Sequence, residues 1–137
     1  MDALVGDHRE RMAGAMSMSA GHRASITADQ IRALKSQLNA LKPFRKVRET
    51  MPLQYATAFL LVATEEHLNV TEYAKRAGTS QSLMTRHLAD LGEVNRYHEE
   101  GMGLVEAYDD LMDRRNRLIR LSAKGKHVVW EMCEAFK

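Results

Sequence analysis

Residues 113–125 constrain the fold most, because basic charge and apolar periodicity are combined within this short stretch. Apolar side chains interrupt its arginines, and Ser122 is followed by a new periodic segment. The pattern predicts a β-ribbon whose tip carries arginines, with residues 117–121 as the returning strand and Ser122 as the cap of a last helix. Because clustered arginines at a ribbon tip attract anions, the segment indicates a polyanionic partner.

Composition is that of an ordinary soluble protein. The 137 residues allow one domain with a core of its own, and the net charge of +2 is too small to indicate nucleic acid by itself. The single cysteine, Cys133, excludes an internal disulfide framework and is typical of a reducing compartment. The sequence has neither an apolar run of roughly 18 residues nor a signal-peptide core, so we expect a cytoplasmic protein without a membrane partner.

The N-terminal part divides into a tail and a helix. Residues 1–25 show no sustained period and predict a disordered or frayed tail. In residues 26–50, Thr27 and Gln30 form a capping box that begins a helix, and Pro43 is expected to break or kink it. An apolar seam recurs along this helix at Ile31, Leu34, Leu38 and Leu41. Such a seam packs either on the chain's own core or on a second copy, and the sequence leaves both interpretations open.

Three further helices follow. Pro52 opens the first of them, whose predicted buried residues are Leu53, Ala56, Phe59, Leu60 and Ala63. Thr71 is the predicted cap of the next helix and Gly78 its end, after which Ser80 caps the third. On that third helix Met84, Leu88 and Leu91 form the predicted buried side.

The opposite side of the third helix carries short polar residues and an arginine, namely Gln81, Ser82, Thr85 and Arg86. A helix enters the major groove of DNA only if its leading side chains allow close approach and carry donors and acceptors for base edges. The two helices joined at Gly78 therefore have a helix-turn-helix pattern, although many helical hairpins share it.

A predicted hairpin follows the helix-turn-helix after an irregular link, residues 92–103. Its first strand is expected at residues 104–108 and its polar turn at residues 109–113. Helices followed by a basic hairpin are the order of a winged helix. We therefore predict a mainly α fold with a small β-hairpin, in which residues 51–137 form a winged helix-turn-helix domain and residues 26–50 add an extra N-terminal helix.

Three motifs resemble the MarR family, the multiple antibiotic resistance regulators. Residues 77–88 resemble its recognition-helix stretch, and residues 103–106 resemble the entry to its wing. The wing signature is the most specific: Asp113, Arg114 and Arg115 are followed by apolar Leu118 and Leu121, then Ser122 and Gly125. The resemblance implies a dimeric bacterial transcription regulator, expected to be a repressor, that binds a pseudo-palindromic DNA duplex.

The resemblance also implies roles for individual residues. It places Ser80, Gln81, Ser82, Thr85 and Arg86 in the major groove. Arg115 enters the adjacent minor groove, with Asp113 orienting it through a charge-assisted hydrogen bond. Arg114 and Arg117 are either phosphate contacts or solvated neighbours.

Two departures from the family pattern affect these expectations. The link at residues 92–103 is several residues longer than usual, which affects where the wing lies. The sequence ends at Lys137, where the family continues into a long dimerising helix, so dimerisation would depend on the N-terminal helix, the last helix, or both. Effectors in this family bind beside that reduced region, and a small-molecule effector is therefore not expected.

Other functions have less support. The sequence has no glycine-rich phosphate loop, no Cys/His cluster with metal spacing and no catalytic constellation, so we expect neither a cofactor, nor a metal, nor an enzyme. A protein-interaction adaptor that does not read DNA remains open, because acidic Glu99, Glu100, Asp109 and Asp110 surround the wing. A replication or copy-control protein of a mobile element also remains open, since the sequence cannot separate that role from transcription.

Overall fold

The computed structural model describes residues 25–93 and 100–137. In chain order these residues form the helices α1 (Ala28–Val47), α2 (Leu53–Thr64), α3 (Val70–Ala77) and α4 (Gln81–Leu91), the antiparallel strands β1 (Val105–Asp110) and β2 (Asp113–Leu121), and the helix α5 (Ala123–Glu134). The predicted mainly α fold with a small hairpin is confirmed. The tail predicted for residues 1–25 and the acidic Glu99 lie outside the described residues, except for Ser25.

Helix α1 begins with the predicted capping box. Gln30 N donates to Thr27 Oγ1 at 3.1 Å, and Thr27 N donates to Gln30 Oε1 at 2.9 Å. Of the expected break or kink at Pro43, the break is wrong, because the helix continues through the proline to Val47. Tertiary packing explains why the last turn persists despite the missing N–H: Phe44 is buried, with its ring edge-on to Phe59 at 5.6 Å between centroids.

Contacts divide the chain into two units between Lys35 and Ser36, within α1. The seam residues of the first unit, Ile31 and Leu34, are 43% and 54% exposed. Those of the second unit, Leu38 and Leu41, are 63% and 48% exposed. Leu38 and Leu41 are therefore not part of the buried core of their own unit.

The core of the second unit is formed by large side chains from successive helices and from the start of the hairpin: Phe59, Val62, Tyr73, Met84, Leu91 and Leu104. The predicted buried face of α2 is only partly correct, since Leu53 and Leu60 are 79% and 40% exposed. Ala56, Phe59 and Val62 form the buried stripe, and Leu60 lies off it. Leu53 continues the spacing of this stripe but is the first residue of the helix, where it is exposed.

The helix ends follow cap chemistry. Helix α3 is capped by Asn69, whose side chain accepts from Glu72 N at 2.9 Å, while the predicted cap Thr71 lies within the first turn. Asparagine is the stronger capping residue, and the helix begins correspondingly earlier. Gly78 ends α3 at a left-handed φ of 68°, and Ser80 Oγ accepts from Leu83 N at 3.1 Å, both as predicted.

The hairpin is irregular near its turn. Asp109 pairs with Arg117 and Asp110 with Asp113, so residues 114–116 have no partner on β1 and form a bulge. The turn itself consists of Leu111 and Met112, at the centre of the turn predicted over residues 109–113. The predicted turn is too long, because Asp109, Asp110 and Asp113 are paired in the strands. Arginines were expected at the tip, but Arg114 and Arg115 follow the turn at the start of the returning strand.

The long link does not displace the hairpin from α4. Leu104 N donates to Leu91 O at 2.8 Å, and Gly103 N donates to Gly92 O at 2.8 Å. The chain thus returns to the end of α4 before β1 begins. Helix α5 crosses this point closely, because a Cβ atom at Gly125 would lie 2.1 Å from Leu104 O. These main-chain hydrogen bonds join the two ends of the link to each other, whatever its length.

A second junction joins β2 to the segment between α2 and α3. His67 N donates to Ile119 O at 2.7 Å, and Ile119 N donates to Leu68 O at 2.9 Å. The Asn69 side chain donates to Asn116 Oδ1 at 3.1 Å, which ties the cap of α3 to the bulge. Main-chain hydrogen bonds just before β1 and near the end of β2 therefore fix the hairpin relative to the helix-turn-helix.

Candidate nucleic-acid interface

Helix α4 presents a polar face opposite a buried one. Met84, Leu88 and Leu91 are buried, as predicted. The face away from the core carries Gln81, Ser82, Thr85 and Arg86, all exposed, preceded by exposed Ser80. The spacing of three and four residues between buried positions leaves these side chains together on one side.

Hydrogen bonds distinguish the polar residues of this face. Ser80 Oγ caps the helix, and Thr85 Oγ1 donates to Gln81 O at 2.8 Å, so both hydroxyls are engaged within the helix. In the part of the chain that the structure describes, the Gln81 amide and the Arg86 guanidinium make no side-chain hydrogen bond. These two groups therefore offer the most available donors and acceptors of the face.

Leu83 belongs to the same face and was missed from the sequence. It is 42% exposed in the first turn of α4, between Ser82 and buried Met84. Its apolar side chain suits contact with a thymine methyl group, which direct readout of the major groove uses. The position of Leu83 in the sequence could have revealed it, because the residue immediately before buried Met84 does not lie on the buried side of the helix.

Arg115 and Asp113 lie together on β2. Arg115 N donates to Asp113 Oδ1 at 3.2 Å, and the same carboxylate oxygen is 3.5 Å from Arg115 Nε. The Arg115 side chain is 94% exposed. The aspartate therefore braces the backbone of the bulge and also pairs loosely with the guanidinium that projects from it.

The other arginines of the hairpin differ from one another. Arg117 is tied to β1, with Nε 3.4 Å from Asp109 Oδ1 and an Nη donating to Ala107 O at 3.2 Å. Arg120 donates to Glu106 at 2.8 Å. Arg114 is exposed and makes no ion pair with any residue in the described ranges. Of the predicted phosphate contacts, Arg114 is thus available and Arg117 is largely engaged.

The hairpin has no net charge. Residues 105–121, which we call the wing ribbon, contain four acidic and four basic side chains. Three of the four arginines lie within 3.5 Å of a carboxylate of the ribbon itself. Any attraction of the ribbon for an anion is therefore local to Arg114, which has no ion pair among the described residues, and to Arg115, whose loosely paired side chain is 94% exposed.

Comparison with known proteins identifies the fold. No protein-family model matches the sequence, and no curated protein sequence matches it. Among similar solved structures, a transcriptional regulator from Thermotoga maritima is 18% identical over 75% of this chain and 66% of its own, with a TM-score of 0.59. This chain thus spans slightly less than two thirds of that protein.

Two further structures have the same fold. A mutant of MepR from S. aureus, bound to an oligodeoxyribonucleotide, is 18% identical over 82% of this chain and 78% of its own, with a TM-score of 0.57. MarR is 14% identical over 77% of this chain and 70% of its own, with a TM-score of 0.53. The chain therefore has the MarR-like winged-helix fold that its motifs predicted.

The residues that the structure describes contain neither a membrane-spanning helix nor a metal-ion cluster. None of their helices is both long and apolar enough to cross a membrane. Within the same residues, no group of three or more His, Cys, Asp and Glu side chains is arranged to hold a metal ion.

Proposed function

We propose that this protein is a homodimeric, sequence-specific transcriptional regulator that binds double-stranded DNA and has no enzymatic activity. The observation that carries the proposal is the exposed polar face of α4, held in a fixed relation to a wing whose bulge exposes Arg114 and Arg115. The solved structures support it, since similar chains are transcriptional regulators and one of them is bound to an oligodeoxyribonucleotide.

Helix α4 is the proposed reader of the major groove. Gln81 suits bidentate hydrogen bonding to adenine, and Arg86 suits bidentate hydrogen bonding to guanine. Ser82 and Thr85 are short enough to let the helix approach the bases. Ser80 acts mainly as the helix cap, so its contribution to DNA contact is the orientation of the first turn, where backbone N–H groups face an approaching phosphate.

The wing is the proposed contact with the adjacent minor groove. Arg115 projects from the bulge with Asp113 beneath it, and its exposure leaves the guanidinium available to the negative potential of a narrow groove. Arg114 is the proposed phosphate contact. Arg117, already engaged by Asp109 and Ala107 O, is proposed to hold the two strands together rather than to bind DNA.

The seam of α1 is the proposed dimer contact. Ile31, Leu34, Leu38 and Leu41 are exposed at the spacing with which one helix packs on another. Replacing Leu34 and Leu38 together with aspartate should convert a dimer to a monomer in sedimentation equilibrium. Asn39→Asp, at an exposed position of the same helix away from the seam, is the matched control and should leave the dimer intact. A wild-type monomer at all concentrations would contradict this part of the proposal.

Selection of bound sequences from a random duplex pool tests the proposal as a whole. A dimeric reader should enrich an inverted repeat whose half-sites are separated by about one helical turn, 10 base pairs. A repressor should then block transcription when that repeat overlaps a promoter. An unenriched pool would contradict sequence-specific binding.

A protein-interaction adaptor is the second candidate, and one observation favours it. The wing ribbon carries as many carboxylates as arginines, with Asp109 beside Arg117 and Asp113 beside Arg115. An adaptor would bind duplex DNA neither specifically nor in a salt-dependent manner. The same selection therefore separates the two candidates.

A further inference from the structure

The turn of the wing ribbon consists of two apolar residues that neither the fold nor the core requires. Leu111 and Met112 are 86% and 94% exposed, the highest values among the large apolar side chains of the described residues. Two-residue hairpin turns favour Asn-Gly and similar pairs, whose φ angles are positive. Leu111 and Met112 do not have a positive φ, because His67 is the only described non-glycine residue that does. The pair therefore offers exposed apolar area that contact with a partner would remove from water.

Polar groups near the turn are held by the ribbon itself. Asp110 Oδ1 accepts from Met112 N at 3.0 Å, which braces the turn. Asp109 is paired with Arg117. Immediately after the turn, the bulge exposes Arg114 and Arg115. An apolar tip is thus followed by two arginines that are available to phosphate or to a groove.

We propose that Leu111 and Met112 form an apolar wedge that enters the minor groove of bound duplex DNA and separates two stacked base pairs. The inference rests on the proposed DNA-binding function and deepens it. Leucine and methionine are among the side chains that wedge between base steps, and the insertion unstacks the step and bends the duplex. Arg114 and Arg115, which follow the wedge on β2, bind beside it, Arg114 at a phosphate and Arg115 in the groove.

The zero net charge of the wing ribbon favours an apolar wedge over a purely electrostatic contact with DNA. The wing ribbon is neutral, so its approach to DNA gains little from net charge. Burial of the apolar tip supplies a contact that does not depend on charge. The wedge also predicts a sequence preference, because pyrimidine–purine steps unstack most easily and should occupy the point of insertion.

The test uses the full chain and a duplex selected from the random pool, with 2-aminopurine placed at successive positions across each flank. This fluorescent base brightens when it loses its stacking partner. The wild type should brighten it at one step on each flank, and fluorescent labels at the duplex ends should move closer together. The double variant Leu111→Ser with Met112→Ser should abolish both signals and weaken binding about tenfold or more, as expected when a buried apolar side chain is lost.

The matched control is Phe136→Ser, which removes another exposed apolar side chain, 64% exposed beyond the end of α5. It should leave both signals unchanged. Because the tip residues are exposed, the double variant should unfold at the same temperature as the wild type.

The outcomes separate this inference from the proposed function. Tight binding by the wild type to a straight duplex with no brightened position would overturn the wedge and leave DNA binding intact. Equal bending by the wild type and the double variant would overturn it as well. Failure of the wild type to bind any duplex would overturn the proposed function together with the wedge.

Discussion

Helix α4 and the wing ribbon are two parts of one proposed interface, and they present charge in different ways. The Arg86 guanidinium of α4 has no ion-pair partner among the described residues, whereas three of the four ribbon arginines lie beside ribbon carboxylates. A helix exposes its polar face as a direct result of its period. A hairpin places oppositely charged residues across from each other, so register determines which charges remain available.

Main-chain hydrogen bonds, and not the length of the link at residues 92–103, determine where the wing ribbon lies relative to α4. Leu104 is hydrogen-bonded to Leu91, and Ile119 to Leu68. These bonds fix the start of β1 and the last residues of β2 to the helices. The position of the wing therefore depends on the backbone at two junctions, and the following changes test the junctions and the charges in turn.

The largest effect should come from Gly125→Ala, at the crossing of α5 with the start of the hairpin. The added Cβ would lie 2.1 Å from Leu104 O, so backbone must move. We expect a loss of about 3 kcal/mol in the free energy of unfolding, as for severe overpacking. Urea denaturation measures it. Lys126→Ala, at the next and exposed position, should change stability little, and equal stability of the two variants would contradict the close crossing.

Next in size should be the loss of Arg86 or Arg115. Arg86→Ala should weaken binding to a selected duplex by about 1–3 kcal/mol and relax the base preference at one position. Arg115→Ala should weaken binding by about tenfold without unfolding the protein. Fluorescence anisotropy measures both affinities.

Arg117→Ala is the matched control for Arg115→Ala, because its guanidinium is engaged by Asp109 and Ala107 O. It should affect binding less than Arg115→Ala. The reverse order of effects would show that ion pairing within the ribbon does not determine which arginines bind DNA.

A smaller effect is expected at the second junction. Tyr73 is fully buried, and its hydroxyl donates to Glu65 O at 2.7 Å. Burial raises the pKa of Tyr73, so the phenol remains a neutral donor. Tyr73→Phe should lower the free energy of unfolding by about 1 kcal/mol, because the hydroxyl that donates to Glu65 O and accepts from Leu68 N is lost. Thermal unfolding measures the change. An unchanged stability would show that hydrogen bonding by the Tyr73 hydroxyl does not stabilise the fold.

The smallest effect concerns Glu72, which Arg76 and Lys75 surround on α3. The hydrogen bond from Arg76, followed by the charge of Lys75, holds the pKa of the Glu72 carboxyl below its usual value of 4.5. A lowered pKa means that the carboxylate stabilises the fold above the unfolded-state pKa and that this contribution is lost as pH falls through the folded-state pKa. Because the pair is exposed, the contribution is small.

Comparison of the wild type with Glu72→Gln by thermal unfolding measures that contribution. The variant should be slightly less stable at neutral pH, and the difference should vanish in acid. A difference that grows as pH falls would contradict the assigned direction.

The helices and their caps were largely predictable from the sequence, because their signals are local. Thr27 with Gln30, Gly78 and Ser80 each act within four residues of themselves. The buried face of α4 follows from the period of its apolar residues. Where two local signals competed, as for Asn69 and Thr71, the stronger cap determined the start of the helix.

The hairpin was less predictable, because its details depend on partners distant in sequence. The bulge at residues 114–116 follows from the register set by Asp109 with Arg117, which no local pattern specifies. The same register moves the arginines from the tip to the strand and leaves Leu111 and Met112 at the turn. The placement of the wing beside α4 depends on hydrogen bonds from Leu104 and Gly103, which the length of the link does not reveal.

The salt dependence of binding to a selected duplex tests most directly that α4 and the wing bind DNA together. Each neutralised phosphate should contribute about 0.9 to the slope of log affinity against log salt concentration. The wild type should therefore lose affinity steeply, Arg114→Ala should lower the slope by about 1, and Arg117→Ala should leave it nearly unchanged. Duplex binding that is weak and independent of salt in the wild type would contradict the proposed DNA-binding interface.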